Sequence, residues 1–230
     1  MAKMRTLMAL VLAMAVCSMA AAEWVPLPGD PVRLSELEQP YIVGDKAFSD
    51  FEITGTGNGG ALAPDASSIY VRGGQETVSG DYGLEFVLSL LAGTGQEVSA
   101  KLTFKVAVTP EADMMIKDVS GFFPDVSATG SGVVGISETV LNGPATEGDI
   151  IAQLEFSKQE DDGGVNLKDS ADFEPVKEIW ITKDISISGG DADNGSAHIS
   201  GFFQLYSQVP EPATMCLLAL GGLPLLRRRR

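Results

Sequence analysis

Residues 98–106 read Val-Ser-Ala-Lys-Leu-Thr-Phe-Lys-Val, with an apolar side chain at every even position and a polar or charged one at every odd position. Successive side chains of an extended strand point to opposite faces, so this alternation describes a strand with one buried and one wet face. The same period of two recurs on both sides of it. It is seen in FEIT (51–54), SIYVRG (68–73), GLEFVLSLL (83–91), SGVVGISETVL (131–141), DIIAQLEFS (149–157), EIWITKDISIS (178–188) and AHISGFFQLYS (197–207). These runs are rich in β-branched and aromatic residues and are separated by glycine-rich connectors at 55–60 and 189–195. A short helix-compatible stretch spans Ser35–Gln39, and no amphipathic helix longer than about two turns can be drawn after residue 45. Half-buried strands stack as antiparallel sheets, face to face. The pattern therefore predicts an all-β chain: a single antiparallel β-sandwich of roughly eight to ten strands. No internal repeat is present.

The two ends are built differently. Residues 1–22 have Lys3 and Arg5 in a charged head, an apolar run from Leu7 to Val16, and Ala20-Ala21-Ala22 in A-x-A form. That is the layout of a secretory signal peptide cleaved after Ala22. Cys17 lies in that leader and Cys216 in the tail, so the mature ectodomain at 23–208 holds no cysteine and no disulfide. Its stability must come from a packed core, which a chain of that length can supply. The full chain carries 16 basic and 31 acidic residues; without Lys3, Arg5, Arg227–Arg230 and Glu211, 10 basic face 30 acidic, a net charge of −20. So negative a surface repels nucleic acid, and nucleic-acid binding is excluded.

The tail, residues 209–230, has three parts in order. Val209-Pro210-Glu211-Pro212 comes first, then an apolar run from Ala213 to Leu226 broken by Gly221-Gly222 and Pro224, then Arg227-Arg228-Arg229-Arg230. Fourteen residues span about 21 Å as a helix, a short transmembrane segment, and a terminal block of arginines holds such a segment on the cytoplasmic side. Read plainly, this is either a permanent membrane anchor or an address. In its order and position it resembles the PEP-CTERM sorting signal of Gram-negative, biofilm-forming bacteria. YIVGDKAFSDFEITGTG (41–57) and the stretch from Ile181 into the Pro-Glu-Pro are similar to the opening and the final hairpin of exported β-rich proteins with that tail.

The resemblance implies a history for the chain. It would use the Sec export machinery and be tethered transiently in the inner membrane. An exosortase, a membrane-embedded cysteine-protease-like enzyme, would then cut it near Pro210-Glu211-Pro212. It would finish on the cell surface or in the extracellular matrix, associated with exopolysaccharide and biofilm.

The ectodomain offers little catalytic chemistry. The G-x-G-x-x-G match at 55–60 is followed by Pro64 and a further strand, not by the helix a dinucleotide site needs. His198 is the sole histidine, and with no mature cysteine neither a triad nor a zinc site is expected. The acidic turns at Glu160-Asp161-Asp162 and Asp191-Ala192-Asp193-Asn194 are rich in oxygen ligands, which makes Asp161, Asp162, Asp191 and Asp193 the candidate Ca²⁺ ligands. The EF-hand pattern fails there, and Asn194-Gly195 also reads as a tight turn. Tyr70, Tyr82, Trp180, Phe202, Phe203 and Tyr206 are candidates for an aromatic sugar-binding face, and Phe202-Phe203 must point to opposite sides of one strand. A non-catalytic surface or matrix protein is the expected class, without a resident cofactor. The alternative is a secreted carbohydrate-active enzyme using paired carboxylates.

Overall fold

The computed structural model describes residues 24–144, 147–159, 165–191 and 194–211. In chain order the strands are β1 (Trp24–Pro26), β2 (Val32–Arg33), β3 (Tyr41–Val43), β4 (Lys46–Asn58), β5 (Tyr70–Glu76), β6 (Tyr82–Gly93), β7 (Glu97–Val108) and β8 (Met114–Phe122). They continue with β9 (Val126–Thr129), β10 (Val133–Leu141), β11 (Ile150–Gln159), β12 (Val165–Asn166), β13 (Lys168–Val176), β14 (Glu178–Ser188) and β15 (Ser196–Pro210). Among the described residues the only helical turn is a 3-10 turn at Leu34–Glu36, which shares only Ser35 and Glu36 with the helix-compatible stretch Ser35–Gln39; Leu37 is already extended. The count exceeds the expected eight to ten because several short edge pairings, such as β2 with β5 and β12 with β11, are invisible to a period of two.

Every pairing is antiparallel. The first sheet runs β1-β5-β6-β15-β8-β13, with β2 beside β5 and β9 beside β15. The second runs β12-β11-β10-β14-β7-β4-β3. On β7, Val98, Ala100, Leu102, Phe104 and Val106 are all buried, as the alternation requires. They meet the inner face of the first sheet through aromatic contacts: Phe86 lies 5.5 Å from Phe104, 4.7 Å from Phe202, and Phe202 lies 4.9 Å from Phe123.

One expected loop is strand instead. Gly55 to Asn58 continue β4 and pair with β7, Gly55 opposite Ala100 and Gly57 opposite Val98. Ala61–Pro64 folds back over these glycines, so a Cβ at Gly57 would lie 2.2 Å from the Ala61 carbonyl oxygen. The glycines are a consequence of close backbone approach, and the turn itself is at Gly59-Gly60, both at positive φ.

Among the described residues the inner faces are apolar apart from Lys46, paired with Asp45 at the start of β4, and one central cluster. Lys183 on β14 and Glu138 on β10, cross-strand partners, form a fully buried ion pair. Gln204 on β15 of the opposite sheet donates from Nε2 to the Glu138 carboxylate at 3.0 Å, so the pair ties the two sheets together. Around the ammonium stand Phe202, Phe123 and Phe156, their ring centres 5.0, 5.7 and 5.8 Å away. Burial pushes Lys183 below the usual lysine range, and Glu138 opposes that shift.

Removing one partner would strand a buried charge. Lys183→Met is expected to destabilise the domain by about 3–5 kcal/mol in urea unfolding. The combination Glu138→Leu, Lys183→Met and Gln204→Leu, which removes every member of the cluster, should recover most of that loss. A triple variant no more stable than the single one would show that the network, not the unpaired charge, carries the stability.

Candidate functional site

The tail motif begins inside the fold. Past Tyr206, opposite Tyr82, β15 has no further partner on β6, and it continues against β8 alone. After a register shift at Ser207/Gln208, Val209 lies opposite Met115 and Pro210 opposite Met114. Proline has no N–H to give a ladder, and it is tolerated here because one side of this stretch is an edge. The Glu211 N–H then donates to the Asp113 carbonyl at 3.1 Å, and its carboxylate forms an ion pair with Lys177. Lys177 sits between β13 and β14, where its own carbonyl accepts from the Val108 N–H at 2.9 Å, so its backbone is fixed. Three of the four motif residues are therefore docked on the domain, and β15 crosses the boundary expected at 208/209. Pro212, Arg227, Arg228, Arg229, Arg230, the apolar run and the expected cleavage point at Ala22 lie outside the described residues. Among the described residues no helix is long and apolar enough to cross a membrane.

A second feature occupies the outer face of the first sheet. Gly74 on β5 and Gly83 on β6 are cross-strand partners, which leaves a trough without side chains. The Trp24 indole lies in it: a Cβ at Gly74 would come within 2.2 Å of the ring. From there the indole reaches Phe203, ring centres 5.1 Å apart, and Phe203 is near-parallel to its cross-strand partner Phe122 at 6.2 Å. Beside these rings is a cleft of about 220 Å³ flanked by Glu76 and Lys168. Phe122 is 42% exposed, while Trp24 Nε1 is buried without a hydrogen-bond acceptor among the described residues. A buried indole N–H normally finds an acceptor.

The outer face of the second sheet is a shallower trough of about 640 Å³. Hydroxyls such as Thr54, Thr56, Ser99 and Ser186 line it, and the exposed Lys101–Asp184 ion pair at 3.1 Å crosses it.

The sequence candidates divide accordingly. Phe202 is buried and Phe203 faces out, so the pair splits across the sheet as read. Tyr206 is buried in the core beside Phe48, and Trp180 lies on the outer face of the second sheet under Lys105. Trp24 and Phe122 were missed. The signal for Phe122 was the doublet Phe122-Phe123, which must split in the same way, with Phe123 inside. Asp191 is exposed at a bend, while Asp161, Asp162 and Asp193 lie outside the described residues. No group of three metal-binding side chains occurs among the described residues.

Two polar arrangements fall short of a catalytic site. His198 Nε2 lies 3.3 Å from Ser89 Oγ on the outer face, but among the described residues no carboxylate hydrogen-bonds the imidazole. Burial pushes the Asp81 carboxyl up, and the charge of Asp118 adds to that shift, against the hydrogen bond from Ser79. Neither Asp81 nor Asp118 lines either trough.

No curated protein matches the chain. Among solved structures, the enzymatically active domain of bacteriophage CBA120 tailspike protein 4 is similar at 14% identity and a TM-score of 0.29, covering 68% of this chain. This chain spans only 19% of that one. Residues 208–230 match the model of the PEP-CTERM protein-sorting motif. The last described strand, central in the first sheet, thus runs straight into a PEP-CTERM sorting motif, the end expected of an exosortase substrate.

Proposed function

We propose that this protein is exported, cut near Pro210-Glu211-Pro212 by an exosortase, and retained at the cell surface or in the extracellular matrix as a non-catalytic, exopolysaccharide-associated protein. The match at residues 208–230 is the observation that carries the sorting half of this reading.

The matrix half rests on the aromatic cleft. Exposed aromatic patches on an otherwise strongly charged surface mark binding sites. The flat faces of Phe122, Phe203 and Trp24 suit the C–H faces of a sugar ring, while Glu76 and Lys168 suit its hydroxyls. A mature charge near −20 disfavours acidic polysaccharides, so the glycan this cleft would hold is a neutral one.

Two measurements test the reading. Mass spectrometry of surface-extracted protein should find an N-terminus at Glu23 and a C-terminus near Val209. Changing Pro210-Glu211-Pro212 to alanines should leave full-length chain in the inner membrane, and recovery of Arg227–Arg230 from the outer surface would refute sorting. In the second, purified residues 23–208 should retain neutral exopolysaccharide without shortening it. Phe122→Ala with Phe203→Ala should weaken that retention about ten-fold, as loss of a central aromatic contact does. Release of new reducing ends would instead establish the carbohydrate-active enzyme.

A further inference from the structure

We infer that the folded domain gates its own processing: the end of β15 must peel from β8 before the sorting motif can be cut, and Lys177 is the latch that holds it down. This rests on the exosortase reading above and adds a control to it. The observations are the docking of Val209 and Pro210 on Met115 and Met114, the Glu211 N–H bonded to the Asp113 carbonyl, and the Glu211–Lys177 ion pair. The Lys177 ammonium also lies 3.5 Å from the Ala112 carbonyl, so it bridges the motif to the strand entry of β8.

Proteases take their substrates as extended strands. Residues 207–210 are already extended, but one edge is occupied by β8, and among the described residues no strand pairs with the other, beyond the end of β6. A docked motif therefore cannot be surrounded by an active site. Nor does the chain provide slack, since Pro212 alone separates Glu211 from the apolar run at Ala213. Access has to come from local opening. It is within reach, because strand ends paired on one side open at far lower free energy than the core of a sheet. Opening changes access to the scissile bond and leaves the chemistry of its cleavage to the protease.

Lys177 is thus a positioning residue whose removal should speed processing. With full-length precursor in exosortase-containing membranes, Lys177→Ala should raise the rate of conversion roughly two- to five-fold, the range an exposed ion pair is worth. Lys177→Arg should keep the wild-type rate. Ile187→Val, a core change on the far sheet, should lower the melting temperature without changing conversion, which separates the latch from general loss of stability. Insertion of Gly-Ser-Gly-Ser between Gln208 and Val209 should speed conversion further, because it frees the motif from β8. Met115→Cys with Val209→Cys, in a Cys216→Ser background, should block conversion when oxidised and restore it on reduction. Rates are compared between redox states of the same variant, relative to the Cys216→Ser precursor under the same conditions, so the effects of the substitutions and of redox state on the cysteine-protease-like enzyme both cancel. If the oxidised protein converts as fast as the reduced one, or if Lys177→Ala and the insertion leave the rate unchanged, the latch is refuted. If the Pro210-Glu211-Pro212 alanine variant is itself converted normally, it is the sorting reading that fails.

Discussion

The buried pair of Glu138 and Lys183 constrains the sandwich more tightly than its apolar contacts do. A period of two specifies which face of a strand is buried, but slipping a strand by two residues preserves that face. Such a slip would separate the carboxylate from the ammonium and leave two isolated charges among Phe123, Phe156 and Phe202. Through Gln204 the same constraint reaches β15 and the opposite sheet. Registers of β10, β14 and β15 are therefore fixed together, although β10 is separated from the other two by three intervening strands and β15 lies in the opposite sheet.

From this anchor β15 runs in one direction to the glycine turn at 195 and in the other to the sorting motif. Along the way its outer face contributes Phe203 to the aromatic cleft and its inner face contributes Phe202 and Tyr206 to the core. Both features assigned function lie on this strand or beside it, on the first sheet. The second sheet presents a hydroxyl-rich outer face, the ordinary composition of a solvated β surface.

How much of this was legible follows from the range of each interaction. The alternation in residues 98–106 announced a strand, and every even-numbered residue there is inside. The order of the tail's three parts likewise announced an address, since it is local in sequence. The aromatic cleft was not legible, because it depends on Gly74 meeting Gly83 across strands and on an N-terminal tryptophan laid over Gly74. The glycines at 55–57 looked like a loop for a related reason: only the fold shows a segment returning over them. Docking of Glu211 was hidden too, for Lys177 is an unremarkable surface lysine until β13 and β14 bring it beside the end of β15.

The strand that ends in the motif is unevenly held, and the unevenness suits its task. From Phe203 to Tyr206 it is paired on both sides and its inward residues are buried, so separation there would break two ladders and open the core. Beyond Tyr206 it is paired on one side, Pro210 is exposed, and the closing ion pair with Lys177 is half in water. Local opening that starts at Glu211 thus meets a rising cost at Tyr206 and stops there. The tail can be drawn off and cut while the domain, held by the Glu138–Lys183–Gln204 cluster a few residues away, stays folded.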